Sequence, residues 1–492
     1  MSADAMETDP ASTGKLIVAS NRGPVSWSQA DDGSWTPSRG AGGLIVALGG
    51  ALQERPGTWV SVALEDGDRA MSAAHDGQAF TADTGQGRFT LRLVDVGEAY
   101  DDYYNKVANR LLWFTLHQLW SEPYYPLGDG WTDAWAAYRD VNQQVAEAVI
   151  AEAGDDPTPE IHLQDYHLLT AAPHIRAAIP GARILHYIHT PWVHPTYFRR
   201  LPDPMVTAIL DGLVACDVVG LSASEWTDTL RSCLVQLGGC PAVEPTPDGT
   251  WVASPRGRLL LKDFTLGIDA DSLAEVAASD AAIAERDALV EQVGDRQLIV
   301  RADRTDLSKN ILRGLVAYDL LLQRRPDLVD RVHFRALLNP SRQGVPEYRE
   351  YMQRCIDLGE EIRGRHGEAV LEIDVDNSFP RVVAAMQSYD VLLTNPVIDG
   401  TNLVAKEGPA LNERDGVLVL SRNAGAADTM TDAVFVNPFD VEQTVDALEH
   451  ALEMGAEERA RRAAALKDAA SSGTPADWLS AQRRALDVAV GD

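Results

Sequence analysis

The chain has 492 residues, of which 43 are Lys or Arg and 73 are Asp or Glu, giving a formal net charge of −30. A hydrophobic fraction of 45% excludes an intrinsically disordered chain, and the length allows two or three domains. So acidic a surface excludes a general nucleic-acid or anionic-membrane binder, and any anionic ligand must be held by a local cluster of Arg and Lys. No apolar run approaches the about 18 residues that span a bilayer. Four cysteines, Cys216, Cys233, Cys240 and Cys355, lack metal-binding or redox spacing. They are expected as reduced thiols of a cytoplasmic protein.

The acidic, polar stretch 1–14 has neither the basic nor the apolar region of a signal peptide and is expected to be a disordered leader. Beyond it, the runs 15–20, 58–64, 89–96, 161–166, 183–190 and 217–222 read as strands. They are β-branched or Leu-rich and mostly unbroken by alternation, as strands covered on both faces must be. Between them, Trp135, Tyr138, Val141, Val145 and Val149 recur at steps of three and four and predict a helix over 134–153. The Pro- and Gly-rich stretch 241–257 predicts a surface hairpin or loop, and 261–269 ends in a turn that marks a domain boundary. The plan then repeats with strands at 298–304, 332–340, 370–376, 390–397, 416–422 and 433–438, and the Ala- and Arg-rich stretch 455–490 reads as helical. Alternating strands and helices imply right-handed βαβ units and parallel sheets. The predicted architecture is α/β, with two Rossmann-like doubly wound domains (15–265 and 266–455) facing across a cleft, followed by a helical segment at 456–492.

In such sheets ligands sit beyond the carboxyl ends of the strands, so polar residues there carry the first interest. They are Asn21 and Arg22, Asp165 and His167, His189, Arg304 and Lys309, Arg342, and Asp399. No G-x-G-x-x-G fingerprint and no P-loop is present, so dinucleotide and P-loop chemistry lack support. D-x-D pairs at Asp66/Asp68, Asp269/Asp271 and Asp374/Asp376 are expected as chance matches in an Asp-rich chain, with no metal held. Gly42 and Gly43 precede a helical run, where open N–H groups can meet a phosphate or a sugar hydroxyl; a tight turn is the plainer reading. Arg304 and Lys309 lie five residues apart on a loop and can embrace a diphosphate; a solvated helix start is the alternative. A helix is predicted to open at or near Thr401 or Asn402, with Glu407 one to two turns in, where a carboxylate can accept both hydroxyls of a ribose. His189 ends an apolar strand, while His162, His174, His186 and His194 are read as satisfied core histidines.

SNRGPVSW, RGAGGL, YYNKVANRLLW, LQDYHLL, YIHTPW, DRTDLSKNILRG, NPSR, DGTNLVAKE, LVLSRNAGA and VNPFD follow one another from residue 20 to residue 440. In this order they resemble the trehalose-6-phosphate synthases, a family of retaining glycosyltransferases, over about 15–455. The resemblance implies the two-domain GT-B architecture, no metal and no cofactor. It implies transfer of glucose from GDP-glucose or UDP-glucose to glucose 6-phosphate. By motif match, Arg304 and Lys309 would hold the donor diphosphate, Glu407 its ribose and Asp399 its glucose, with Gly43, Asn402, Leu403 and Val404 also facing the donor. Arg22, Tyr104, Asp165 and Arg342 would hold the acceptor and its phosphate, and Trp113 would line its pocket. His189 would stand at the reacting centre.

The chain departs from the family where TWVSVALEDGDR replaces a Trp-x-Gly-Trp segment, where Gln164 replaces a His, and where Thr401 replaces a common Met. The resemblance leaves one rival of the same fold, a transferase that couples a cyclitol nucleotide to an amino-cyclitol phosphate. LVAKE at 403–407 and LSRNAGA at 420–426 look more like the synthases. A silent sugar-phosphate sensor would be expected to lose some of Arg304, Lys309, Asp399 and Glu407, and all four are present. The nucleotide base is left open, as is a homo-oligomeric state.

Overall fold

In the computed structural model of the chain, the residues described are 14–39, 48–49, 52, 55–84, 87–120, 130–241, 243–254, 257–376 and 378–491. The first half supplies β1 (Leu16–Ser20), β2 (Val25–Gln29), β3 (Trp35–Arg39), β4 (Gly57–Val62), β5 (Phe80–Asp83), β6 (Arg88–Val94), β7 (Glu160–Gln164), β8 (Arg183–Tyr187), β9 (Val218–Leu221), β10 (Val243–Thr246), β11 (Gly249–Ser254) and β12 (Gly257–Asp263). The second supplies β13 (Gln297–Arg304), β14 (Val332–Asn339), β15 (Leu371–Asp374), β16 (Val391–Thr394), β17 (Val417–Ser421) and β18 (Val434–Val436). All twelve runs read as strands from their apolar patterning are strands, shifted by a residue or a few at their ends.

The first sheet runs β10-β11-β12-β9-β8-β7-β1-β4-β6-β5, parallel from β12 to β6 and antiparallel only towards its two edges. The second runs β15-β14-β13-β16-β17-β18 and is parallel throughout. A separate antiparallel hairpin, β2–β3, follows β1.

The unbroken apolar runs have a direct cause. In β1, Ile17 and Ala19 enter one core with Val141, Val145 and Val149 of helix Trp131–Ala153, while Leu16 and Val18 enter a second core on the opposite face. Strand β13 does the same, sending Ile299 one way and Leu298, Val300 and Ala302 the other. The C-terminal stretch divides between the two sheets. Helix Ala456–Ala470 buries Leu466 and Ala470 with Leu418 and Leu420 of β17, whereas helix Pro475–Gly491 returns to bury Trp478, Leu479 and Leu486 against Leu185, Tyr187 and Val218 of the first sheet.

One local expectation is narrowed and another changes. The stretch 241–257 contributes β10 and β11, so it is the hairpin reading that applies. The helix expected from Thr401 or Asn402 begins at Val404, because Asn402 takes a left-handed backbone (φ 69°) that no α-helix accommodates. The four cysteines are buried and free. Among the described residues no helix is long and apolar enough to cross a membrane.

Candidate active site

A cavity of about 640 Å³ opens where the carboxyl ends of the two sheets meet. Arg22 follows β1, Asp165 follows β7, His189 follows β8, Arg304 ends β13, Arg342 follows β14 and Asp399 follows β16; all six line it. Tyr104, Trp113, Lys309, Asn402, Leu403, Val404 and Glu407 line it too. Of the predicted site residues, Gly43 lies outside the described residues, as does its neighbour Gly42. Asp165, Arg342 and Asn402 hold left-handed backbone (φ 68°, 47° and 69°), a cost that non-glycine residues accept where a loop must aim a side chain.

On one wall, the Lys309 ammonium is paired with the Asp399 carboxylate. Asn402 Nδ2 also donates to Asp399 Oδ2 at 3.2 Å, and Asn402 Oδ1 accepts from the Ala405 N–H at 3.0 Å. That second bond, made by the residue before the N-cap Leu403, satisfies a free N–H in the first turn of helix Val404–Leu411 and ties its N-terminus to the cavity. Glu407 lies in the first turn of this helix, and burial pushes its carboxyl up to about 7. Its neighbour Lys406 turns away, donating to the Leu266 carbonyl at 2.8 Å, and burial pushes its ammonium down to about 8. Arg304 is exposed towards the opening, its guanidinium 5.5 Å from the Trp113 ring.

On the other wall, the Arg342 guanidinium lies 3.7 Å over the Trp113 ring. Its Nη1 is paired with Asp306 and donates to the Tyr348 hydroxyl at 3.2 Å. Its Nε donates to Asn109 Oδ1 at 2.8 Å and its Nη2 to the Tyr166 hydroxyl at 3.3 Å. Asn109 and Tyr104 belong to the π-helix Asp101–Leu112, which places Tyr104 on the cavity and Asn109, fully buried, behind Arg342. Tyr104 stacks on His167 at 5.9 Å. Burial raises the Asp165 carboxyl to about 6 despite the backbone N–H groups and the Arg342 charge that favour its ionised form. Arg22 is half-exposed, 4.0 Å from Glu65, and so keeps its guanidinium available to the cavity.

Between the walls stands His189. Its N–H donates to Asp165 Oδ1 at 3.2 Å, and its ring Nε2 donates to Gln164 Oε1 at 3.1 Å. Burial drives its imidazole down to about 3, so the ring is neutral at physiological pH. It offers hydrogen bonds there and no charge. Of the other histidines, His162 and His186 are buried as expected, but His194 is exposed and caps the short helix Pro195–Phe198.

Asp306, Asn109 and Tyr166 are functional neighbours that the residue-by-residue reading did not single out, and Gln164 entered it only as a departure from the family. Asp306 and Asn109 lie inside motifs quoted for the resemblance, and a polar residue within so apolar a run as YYNKVANRLLW was the available signal. The D-x-D pairs are accounted for locally. Asp68 accepts from the Glu65 N–H, Asp269 caps helix Ala270–Ala277, Asp374 pairs with Arg335, and Asp376, which reaches the cavity, pairs with Arg381. Among the described residues no three His, Cys, Asp or Glu side chains are grouped to hold a metal ion.

The chain matches glycosyltransferase family 20 over residues 14–487. It belongs to that family. Among its relatives, a trehalose-6-phosphate synthase of Sinorhizobium fredii is 32% identical over 92% of this chain and 94% of its own length. A validamine 7-phosphate valienyltransferase of Streptomyces hygroscopicus is 27% identical over 95% and 93%. A solved structure described as trehalose-6-phosphate from E. coli bound with UDP-2-fluoro glucose superposes with a TM-score of 0.82, at 26% identity over 97% of this chain and 99% of the other. The two sheets facing across the cavity are therefore the GT-B fold of this glycosyltransferase family.

Proposed function

We propose that the chain transfers glucose from a nucleoside diphosphate glucose to glucose 6-phosphate with retention, forming α,α-trehalose 6-phosphate. One observation carries this reading: in a chain of net charge −30, Arg22, Arg304, Lys309 and Arg342 converge on one cavity, which suits two anionic substrates. The Sinorhizobium relative at 32% identity supports the chemistry, and the E. coli structure supports a nucleotide-sugar donor.

Arg304 and Lys309 neutralise the departing diphosphate, so their stabilisation grows as charge develops in the transition state. Asp399, Asn402 and the helix-terminal N–H groups at Leu403 and Val404 orient the donor, and Glu407 accepts from its ribose hydroxyls. Arg22, Tyr104, Asp165 and Arg342 hold the acceptor against Trp113. The acceptor hydroxyl attacks on the face the diphosphate leaves, and the leaving phosphate takes its proton. Neutral His189 steadies the reacting sugar by hydrogen bonding. On this reading residues 15–265 form the acceptor-binding domain and 266–455 the donor-binding domain, and closure of the cleft excludes water. Buried, unpaired thiols suit a cytoplasmic protein.

The cyclitol-coupling reaction is the second reading, favoured by valienyltransferase relatives of Streptomyces at 27% identity. A coupled assay decides between them and identifies the base. UDP-glucose, GDP-glucose and a cyclitol nucleotide are offered separately with glucose 6-phosphate, glucose or an amino-cyclitol phosphate as acceptor. Turnover with glucose 6-phosphate at least a hundredfold above the other acceptors is expected. Equal kcat/KM for glucose and its 6-phosphate would remove the synthase assignment.

A further inference from the structure

Asp306 has no part in the reaction just described, yet it is fully buried at the edge of the cavity. It sits on the turn between β13 and helix Ile311–Arg324, two residues after Arg304 and three before Lys309. Its Oδ1 accepts from the Ser308 N–H at 3.0 Å, the Ser308 hydroxyl at 3.0 Å and Trp113 Nε1 at 3.2 Å. Its Oδ2 is paired with Arg342 and accepts from the Tyr348 hydroxyl at 3.3 Å. One carboxylate thus joins the loop that bears both donor cations to the two groups that frame the opposite wall. Trp113 comes from the first half of the chain, and Arg342 follows β14 of the second sheet.

We propose that Asp306 is a positioning residue that couples the two subsites, so that a diphosphate on Arg304 and Lys309 raises the affinity for the sugar phosphate at Arg342 and Trp113. The proposal rests on the assignment of those subsites in the preceding section. Its physical basis is the inventory of Arg342. A guanidinium has five N–H groups, and four of them go to Asp306, Tyr348, Asn109 and Tyr166. With so few donors left for a ligand, the direction of the remaining N–H and of the cation itself is set by these partners. Only the Asp306 contact is charged, and only Asp306 belongs to the donor loop. When a diphosphate draws Arg304 and Lys309 towards itself, the turn 304–309 becomes fixed, and Asp306 fixes Arg342 and the Trp113 ring with it. Coupling of this kind is reciprocal: whatever factor the diphosphate confers on the sugar phosphate is returned.

Asp306→Asn is the informative change. The amide oxygen keeps the Ser308 and Trp113 bonds, while the amide nitrogen presents N–H groups to a guanidinium and cancels the ion pair. Titration calorimetry of the intact chain with glucose 6-phosphate is run alone and in the presence of saturating UDP, then GDP. In the native chain the better nucleotide is expected to tighten glucose 6-phosphate several-fold. In Asp306→Asn the affinity for glucose 6-phosphate alone should fall about tenfold and the tightening should shrink towards one, with nucleotide affinity alone changed less than threefold. In steady state the acceptor KM should rise much more than the donor KM, a division that general loosening of the fold would not produce. Should Asp306→Asn not fold, Trp113→Phe removes the indole N–H contact together with part of the ring, and should lower the coupling factor while a smaller aromatic face stays beneath Arg342. Independent binding in the native chain, or an unchanged coupling factor in the variants, overturns the proposal. A native chain that binds nucleotide but no glucose 6-phosphate overturns the acceptor assignment, and this proposal with it.

Discussion

Gly400 passes so close to His189 that a β-carbon on the glycine would fall inside the His189 carbonyl oxygen. The Gly400 carbonyl in turn accepts from the Ser222 hydroxyl and from Trp226 Nε1 at 2.9 Å. The segment bearing Asp399 is therefore held against the ends of β8 and β9 by backbone contact at the reacting centre. Gly400→Ala must push the two walls apart, and overpacking of this kind costs about 1–3 kcal/mol. We expect kcat/KM to fall at least tenfold with secondary structure retained. Native activity in a folded Gly400→Ala variant would show that this contact is not needed.

Arg304→Ala and Lys309→Ala each remove a charge-assisted contact from the leaving diphosphate, and each is expected to cost roughly 1.5–3 kcal/mol in transition-state binding. Because Lys309 is paired with Asp399, the losses of Lys309→Ala and Asp399→Ala should not add. Steady-state kinetics of the two single variants and the double variant measure that coupling. Strict additivity would separate the pair functionally.

Ionised Glu407 accepts from both ribose hydroxyls more strongly than its protonated form, which gives up part of its acceptor capacity, and burial pushes its carboxyl up to about 7. The KM for the nucleotide sugar should fall as pH rises from 6 to 8. Glu407→Gln should raise that KM and flatten the profile, and a profile of unchanged shape in the variant would assign the titration elsewhere.

Burial lowers His117 and His186 to about 4 and His167 and His189 to about 3. The unfolded chain takes up protons at these residues below about pH 6.5, so their contribution is complete above that value and is lost as the pH falls towards 3. Each contributes a slope of up to about 1.4 kcal/mol per pH unit in that window. Asp165 and Glu407, raised by burial to about 6 and 7, act in the opposite sense, as do the smaller upward shifts of Asp68, Glu225, Asp303 and Asp374, while burial also lowers His333. The four large histidine shifts, which open at about pH 6.5, outweigh them between pH 7 and pH 5. The Tm should therefore drop clearly between pH 7 and pH 5. Calorimetric scans at the two values test this, and an equal or higher Tm at pH 5 would contradict it.

Donor charge is assigned to Arg304, Lys309 and helix-terminal N–H groups, while the D-x-D carboxylate Asp269 caps a helix and Asp374 and Asp376 pair with arginines. Activity should survive exhaustive EDTA treatment. Loss on chelation with recovery on adding Mn²⁺ would require a different account of the leaving group.

The sequence alone determined the twelve strands of its apolar runs, the order of the two sheets' building blocks, and a set of site residues whose described members all line the cavity. These are local properties: a strand covered on both faces must be apolar throughout, and a loop at its carboxyl end carries its own chemistry. Tertiary structure alone decided what those side chains touch. Asn109 meets Arg342 across 233 residues of chain, and Trp113 meets Asp306 across 193. Nothing in the periodicity of either segment names its partner. The return of helix Pro475–Gly491 to the first sheet was equally hidden, since its Trp478 and Leu486 announce a buried face without saying which core will bury it. Apolar spacing specifies that a surface must leave water, and only the packing of the whole chain selects the surface that it meets.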